Sequence, residues 1–424
     1  MANDKQNTSP NVPNKREQSG IYSGYAEREE LRLQGNVPNL RFPEFTEEWK
    51  LRATTDYFEF KNGLNPEAKR FGLGTKFISV MDILNNRYIT YDKVIASVLP
   101  KDDDLKEFGV NYGDILFQRS SETLEDVGRA NVYLDDKTAL FGGFVIRGKK
   151  IGDYNPLFFR YLLSSPNVRK SIIVKGAGAQ HFNISQDGLS KVLLNVPSIQ
   201  EQEKISQFIN YIDERIDTQN KIIEDLKKLK VAIIENIFKD KCCKHKIGDI
   251  ITQISIRNKS NNVLNVLSVS NKLGFVEQSE QFEDRTVASE DLTNYKIVRT
   301  NDFAYNPARI NVGSIARLKQ YESGIVSPMY ICFHAKKNVL PEYLEMFFLT
   351  QYFKHEMYKR LEGSVRLCLS FEGLTNIPIF IPEIPLQKEI SEKVLAFETK
   401  IEIEEHYLNA LEKQKQYLLQ QMFI

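Results

Sequence analysis

The chain has 424 residues, 42% hydrophobic and 27% charged, too long for one ordinary core and too apolar for a disordered chain. Its 57 Lys+Arg against 56 Asp+Glu leave a net charge of +1, which excludes a uniformly basic, histone-like binder but allows charge to be segregated along the chain. No window of about 18 uncharged apolar residues suggests a membrane span, Met1-Ala2-Asn3-Asp4-Lys5 has no signal-peptide core, and four cysteines make no disulfide framework, so a reduced, cytoplasmic protein is expected.

Residues 1–38 are rich in Asn, Pro, Gln, Ser, Lys and Glu and read as a mobile tail, with room for a short helix over Tyr25–Gln34. Residues 39–195 read as a first globular domain, with strands at Phe77–Val80, Asp114–Phe117 and Phe144–Ile146 and a helix over Asn155–Ser165 opening at proline. Gly109-Val110-Asn111-Tyr112-Gly113-Asp114 is a turn feeding the second strand, and Asp102-Asp103-Asp104 reads as an acidic turn. A long helix follows over 196–240, and Lys239 to Lys246 form a basic hinge. Residues 241–380 read as a second globular domain, with Arg299-Thr300-Asn301-Asp302-Phe303 as the counterpart turn and a helix over Pro341–Tyr358; residues 381–424 form a second long helix.

An ungapped shift of 185 residues lays the chain on itself. Val196-Pro197-Ser198-Ile199 falls on Ile381-Pro382-Glu383-Ile384, Gln202 on Gln387, Ile184-Ser185 on Leu369-Ser370, and Gly188-Leu189 on Gly373-Leu374. The repeated unit is therefore a globular region followed by a long helix.

Each helix carries a seam of period 3.5. The first is Ile205, Ile209, Ile212, Ile216, Gln219, Ile223, Leu226, Lys230, Ile233 and Ile237; the second is Ile390, Val394, Phe397, Ile401, Glu404, Leu408, Leu411, Lys415, Leu418 and Met422. The polar interruptions occupy the same two places in both. Parallel, in-register pairing would set Lys230 against Lys415, so an antiparallel pair is expected, with Lys230 facing Glu404 and Gln219 facing Lys415. Each helix of roughly 38 residues would span about 57 Å. The fold class expected is α+β: two mixed α/β domains separated by an antiparallel two-helix coiled coil, with a pseudo-twofold internal repeat.

The helical segments 196–238 and 381–424 carry net −2 and −3, and the globular stretches 39–195 and 239–380 carry +2 and +4. A polyanion would be drawn to the domains. Polar loops follow the central strands, Gln118-Arg119-Ser120-Ser121 in one copy and Asn306-Pro307-Ala308-Arg309 in the other. Arg, Gln and Asn carry the hydrogen-bonding forks that read base edges in a major groove, while Arg119, Ser121 and Lys175 suit phosphates equally. The candidate DNA-binding set is completed by Lys76, Arg129, Gln180, His181, Asn183, Arg317, Lys359, Arg360 and Arg366.

Catalytic signatures are missing. Gly72-Leu73-Gly74-Thr75-Lys76 is too short for a phosphate loop, and no G-x-G-x-x-G turn is present. Asn155-Pro156-Leu157-Phe158 lacks the second proline of the amino-methyltransferase loop and reads as a helix start. Cys242-Cys243 are adjacent, with Cys332 and Cys368 far away, so no metal site is expected. The five histidines have no evident nucleophile partner, and no catalytic residue is assigned.

Taken together, two globular units that each end in a Val/Ile-Pro segment and a long heptad helix resemble the specificity (S) subunit of type I restriction–modification systems. The segments are Asn195-Val196-Pro197-Ser198-Ile199-Gln200-Glu201-Gln202 and Phe380-Ile381-Pro382-Glu383-Ile384-Pro385-Leu386-Gln387. Tyr112-Gly113-Asp114-Ile115-Leu116-Phe117, Gly178-Ala179-Gln180-His181-Phe182-Asn183-Ile184-Ser185 and Asn39-Leu40-Arg41-Phe42-Pro43-Glu44-Phe45 are similar to further family segments. The usual Lys-Leu-Gly-Asp-Ile opening survives as Lys246-Ile247-Gly248-Asp249-Ile250 only in the second copy, and Asn301-Asp302-Phe303 replaces Gly-Asp-Ile there.

The resemblance implies that 39–195 and 241–380 are target-recognition domains, each reading half of a bipartite site in double-stranded DNA. The helices would set the gap and dock two methyltransferase (M) subunits, joined by two restriction (R) subunits. S-adenosylmethionine, ATP and Mg would act on those partners, and this chain would hold no cofactor. The competing classes are a self-sufficient DNA-modifying enzyme and a coiled-coil protein scaffold without DNA specificity.

Overall fold

The structure is a computed structural model that describes residues 36–178, 181–239, 245–271, 273–278, 291–364 and 366–424. The Tyr25–Gln34 stretch, Gln180, and residues 240–244 of the hinge, with Cys242 and Cys243, lie outside the described residues. Residues 36–38, which the sequence placed in the tail, pack onto the first domain: Pro38 is buried, and the Trp49 N–H donates to the Asn36 carbonyl at 2.7 Å.

The described chain forms two compact units. The first runs to Asp217 and takes in Asn409–Ile424, and the second is Thr218–Leu408. In the first unit, β1 (Phe58–Asn62), β2 (Ile115–Gln118), β3 (Ala130–Val132) and β4 (Val145–Lys150) form a sheet in the order β1-β4-β2-β3. All pairs are antiparallel, with Ile146 opposite Asn62, Ile115 opposite Gly148, and Ile115 opposite Val132. A second sheet orders Ser97–Val98, Phe71–Ile78, Ala139–Phe141 and Gly109–Val110. The strand expected at Phe77–Val80 ends at Ile78, because Ser79 turns the chain into a capping box with Asp82 and a helix over Val80–Asn85.

Two helices, α1 (Pro156–Ser164) and α2 (Pro166–Ile173), cover the first sheet. Asn155 caps α1, its side-chain oxygen accepting the Phe158 N–H at 2.9 Å, with proline in the first turn where no N–H is needed. Trp49, Phe58, Phe117, Tyr154, Phe158 and Phe159 meet in the core, Tyr154 and Phe159 at 4.3 Å between ring centroids. Each such ring contributes roughly 1.5–3 kcal/mol by leaving water.

A third helix, α3, runs for 40 residues over Ile199–Phe238 with neither Pro nor Gly inside it. The second unit repeats the plan. Strands β5 (Ile251–Ile254), β6 (Phe303–Tyr305), β7 (Ile315–Arg317) and β8 (Ile331–Ala335) follow the order β5-β8-β6-β7. Phe303 stands opposite Phe333 and Arg317, just as Ile115 stands opposite Gly148 and Val132. The Phe303 and Phe333 rings stack at 5.1 Å.

The helix expected over Pro341–Tyr358 is two helices, α4 (Pro341–Phe348) and α5 (Gln351–Tyr358). Thr350 breaks it: its hydroxyl donates to the Phe347 carbonyl at 2.7 Å and accepts the Phe353 N–H at 3.0 Å, ending one helix and capping the next. Ser165 stands at the same point of the first copy and likewise donates to the Leu162 carbonyl.

The last helix, α6, covers 38 residues, Ile384–Gln421. In the second unit α3 meets α6 with rising numbers on one against falling numbers on the other. Gln219 donates to the Glu404 carbonyl at 3.1 Å, Lys230 reaches Glu398 at 3.2 Å, and Ile234 shares a core with Val394. In the first unit Lys415 reaches Asp213 at 2.6 Å, and Ile205 and Ile209 share a core with Leu418, Met422 and Phe423. The pairs read from the sequence, Lys230 with Glu404 and Gln219 with Lys415, do not form. The aromatic and aliphatic cores at the helix ends set the register, while a 3.5 repeat is indifferent to slips by whole heptads. All twenty seam positions are buried or half-buried.

Candidate nucleic-acid interface

The loops that could meet a polyanion hang from the central strands β2 and β6, and both strands are launched by the same turn. Gly113 sits at φ +89° and Asn301 at +71°, the left-handed region that Gly and Asn enter most cheaply. The Gly113 N–H donates to the Tyr133 carbonyl and the Asn301 N–H to the Leu318 carbonyl. Asp114 then accepts the Asn111 N–H at 3.0 Å, and Asp302 the Arg299 N–H at 2.8 Å. Burial pushes both carboxyls above the usual range against these backbone donors. Asn301-Asp302 thus performs the work of Gly113-Asp114.

The opening turn is shared too. The Thr54 N–H donates to the Val192 carbonyl and the Ile247 N–H to the Ile377 carbonyl, which places Thr54-Thr55-Asp56 on Ile247-Gly248-Asp249. Asp56 therefore stands at the position of Asp249, although among the described residues only Asp249 caps its turn, accepting the Lys246 N–H at 2.8 Å.

At the far ends of β2 and β6, short hairpins approach. In the first unit Ser120–Ser121 pairs with Phe182–Asn183, and the Ile184 N–H donates to the Arg119 carbonyl at 2.9 Å. In the second the Leu369 N–H donates to the Pro307 carbonyl at 3.0 Å. Each hairpin turns at a glycine, Gly178 at φ +143° and Gly363 at +115°; a Cβ there would lie 2.0 Å from the His181 carbonyl oxygen or 2.3 Å from that of Arg366. The main chain closes each hairpin, Ala177 with Asn183 and Glu362 with Cys368.

The structure gathers Gln118, Arg119, Ser120, Ser121, His181 and Asn183 about this hairpin in the first unit. The Ser120 hydroxyl and the Asn183 side-chain oxygen are hydrogen-bonded, and Gln118 donates to the Ser120 carbonyl at 2.9 Å. Gln118 is buried, not on an exposed loop, because the ladder from β2 carries on past it. Arg119 is half-buried and donates to the Gly143 carbonyl at 3.3 Å. Exposed Arg129, beside the same strand, is held by Asp126 at 2.6 Å. Lys175 and His181 are exposed and, among the described residues, have no side-chain hydrogen bond or ion pair. Lys76 stands apart on the second sheet, opposite Ser97.

In the second unit Asn306 is the buried counterpart of Gln118, its side-chain oxygen accepting the Ala308 N–H at 3.1 Å. Arg317 is also unavailable: it lies among Glu342, Glu345 at 3.0 Å and the Asn301 side chain at 2.8 Å, and its own side chain is only 9% exposed. Lys359 and Arg360 both bind Glu356, at 2.6 and 2.7 Å. Arg309 and Arg366 remain exposed and make no side-chain hydrogen bond or ion pair among the described residues.

Several residues that fix the loops to the helices escaped sequence reasoning. Gln202 is buried, donates to the Pro197 carbonyl at 3.0 Å and accepts the Asn155 N–H at 3.0 Å; Gln387 does the same to Pro382 and Leu340, at 2.8 and 2.8 Å. Arg41 makes a bidentate pair with buried Glu201, at 2.7 and 2.8 Å, which also accepts the Trp49 indole N–H. Buried Asp213 accepts the Tyr161 hydroxyl at 2.7 Å, with Arg87 and Arg160 nearby at 3.8 and 3.9 Å. The 185-residue coincidences of Gln202 with Gln387 and of Asp213 with Glu398 were the available signals.

Among the described residues no helix is long and apolar enough to cross a membrane. The family model for the type I restriction modification DNA specificity domain matches residues 46–228 and 303–413. The chain is 23% identical over 419 residues to the putative type I restriction enzyme MjaX specificity subunit of Methanocaldococcus jannaschii, covering 91% of this chain and 95% of that one. It is 24% identical over 213 residues to the EcoKI specificity subunit of Escherichia coli, 49% and 44% of the respective chains. In fold it is similar to the type I restriction-modification S subunit from M. genitalium, with a TM-score of 0.52 at 16% identity over 92% of this chain and 99% of that one. A chain solved for the complex assembly and conformational transition of the type I system gives 0.56 at 12% identity, over 88% and 96%. With the family model matching most of its length, the chain belongs to the family of type I restriction–modification DNA specificity subunits, the non-catalytic members of those systems.

Proposed function

We propose that this chain directs type I restriction and adenine methylation to a bipartite sequence in double-stranded DNA, each globular domain reading one half-site. One observation carries this reading: the two units repeat one frame, turn for turn, yet differ where the loops emerge. Arg119, Ser120, Ser121, His181 and Asn183 in the first correspond to Pro307, Ala308, Arg309, Arg366 and Cys368 in the second. A shared scaffold with different hydrogen-bonding tips suits two different half-sites.

The long helices, as an antiparallel coiled coil with pseudo-twofold symmetry, fix the gap between the half-sites. The opposite running of α3 and α6 in the Gln219–Glu404, Lys230–Glu398 and Lys415–Asp213 contacts supports this reading. Two M subunits dock on the helices and two R subunits join them in the cytoplasm. Methyl transfer from S-adenosylmethionine onto a flipped adenine occurs on M, and ATP- and Mg-dependent cleavage on R.

The test mixes purified chain with randomised duplexes, with and without M subunits. Selection of a split sequence, with methylation only when M is present, is expected. Methylation by the chain alone would establish a self-sufficient enzyme, and no selection even with M would leave a protein scaffold.

A further inference from the structure

Resting on that reading, we propose that Arg309 and Arg366 are the base-reading residues of the second domain and that its half-site contains guanine contacted by them. Of the cationic and amide candidates there, Asn306 is buried with its oxygen occupied, Arg317 is enclosed by Glu342 and Glu345, and Lys359 and Arg360 share Glu356. Arg309 and Arg366 alone among them are exposed and, among the described residues, without a side-chain partner.

The backbone brings the two onto one edge. The Leu369 N–H reaches the Pro307 carbonyl at 3.0 Å, two residues before Arg309 and three after Arg366. The hairpin holding Arg366 is closed by the Glu362–Cys368 bonds of 2.9 and 2.8 Å and bent at Gly363. In the first unit the corresponding link, Ile184 to Arg119, continues as a ladder in which Ser121, the counterpart of Arg309, stands opposite Phe182, next to His181, the counterpart of Arg366. In the second unit no such ladder follows among the described residues: the chain turns after Pro307, the Arg309 N–H donating to the Asn306 carbonyl at 3.0 Å, so each guanidinium offers its own fork from one of two segments tied at the Pro307–Leu369 bond. Guanine offers the two major-groove acceptors, O6 and N7, that one guanidinium spans. Serine and histidine at the matching points of the first unit make its half-site different in kind.

The experiment uses the full chain assembled with M subunits and sequences the duplexes selected from a randomised library, for wild type, Arg309→Gln, Arg366→Gln and Arg309→Lys. Guanine preference at one position should fall by ~5-fold to ~150-fold in each Gln variant, within one half-site and with the other unchanged. Arg309→Lys, which keeps charge but loses the planar fork, should lose preference as well. An even loss of affinity at every sequence with the preferences intact would make these arginines phosphate contacts and overturn the inference while leaving the split-site reading standing. A responding half-site without guanine would also overturn it. Failure of the wild type to select any split sequence would instead overturn the proposed function. Both residues are exposed, so unchanged thermal unfolding of the variants separates lost reading from lost folding.

Discussion

Gln219 donates its side-chain amide to the main-chain carbonyl of Glu404, the residue 185 positions later that repeats it, at 3.1 Å. Two of the ion pairs between the helices obey the same 185-residue relation with the helices exchanged: Lys230 on α3 holds Glu398 on α6, and Lys415 on α6 holds Asp213 on α3. The two pairs differ in depth. Asp213 has a side chain 5% exposed, against 35% for Glu398. Lys415→Glu therefore places a second carboxylate beside a buried one that Arg87 and Arg160 still neighbour, and it should cost more than Lys230→Glu, for which about 1 kcal/mol is expected. Urea unfolding of the two single variants measures the contrast, and equal costs would contradict the difference in burial.

Gln202 and Gln387 anchor each long helix to the helix pair before it. Truncating either to Ala leaves a backbone N–H (Asn155 or Leu340) and a proline carbonyl without their partner inside the fold. Each substitution should cost about 2–3 kcal/mol. Replacement by Glu should be worse at neutral pH, because a carboxylate oxygen then faces the Pro197 or Pro382 carbonyl. Chemical denaturation of Gln202→Ala, Gln202→Glu and the corresponding Gln387 variants is the check, and the expected ordering is wild type, Ala, Glu.

The repeat was legible because the positions that must be satisfied twice are spelled twice: Gln202 and Gln387, Ser185 and Ser370, Asn155-Pro156 and Leu340-Pro341. A single shift cannot follow the chain where one copy is longer. The offset becomes 188 between Gly113-Asp114 and Asn301-Asp302, and 193 between Asp56 and Asp249, as their shared backbone bonds reveal. The seam was readable from its period, but the pairing along it was not, since the cores around Phe423 and Phe238 select which turns meet. Residue type also said little about availability. Gln118 and Asn306 look like loop residues and are buried, and Arg317 looks like a DNA contact and is surrounded by carboxylates whose approach depends on how α4 packs.

Asp114 carries a sharper electrostatic signature. Burial raises its folded-state pKa above the unfolded value, although the Asn111 and Lys150 N–H groups oppose the shift. The ionised form is therefore the one the fold tolerates less. The contribution of Asp114 to stability is complete below the unfolded pKa of about 3.9 and is lost as pH rises through the folded one. Against Asp114→Asn, whose amide does not titrate, wild type should gain relative stability as pH is lowered from 7 towards 4. Paired urea titrations across that range test the sign, and a wild type that loses ground on acidification would reverse it. Asp302→Asn should behave alike, since burial raises that carboxyl too.

The spacing role proposed for the helices makes a separate demand. Four residues inserted beside Gln219 alone displace every later α3 seam position relative to α6, so Lys230 can no longer meet Glu398 and Ile234 leaves the core it shares with Val394. That variant should unfold at lower denaturant and assemble poorly with M. A second insertion beside Glu404 lengthens both helices equally and lets the seams on either side re-pair. The doubly inserted chain, tested with M on randomised duplexes, should select both original half-sites at a changed separation. About 6 Å is added by four residues at ~1.5 Å each, a scale of roughly two base pairs at ~3.4 Å per pair. An unchanged separation with an altered half-site would assign the helices to base reading and deny them the ruler's part.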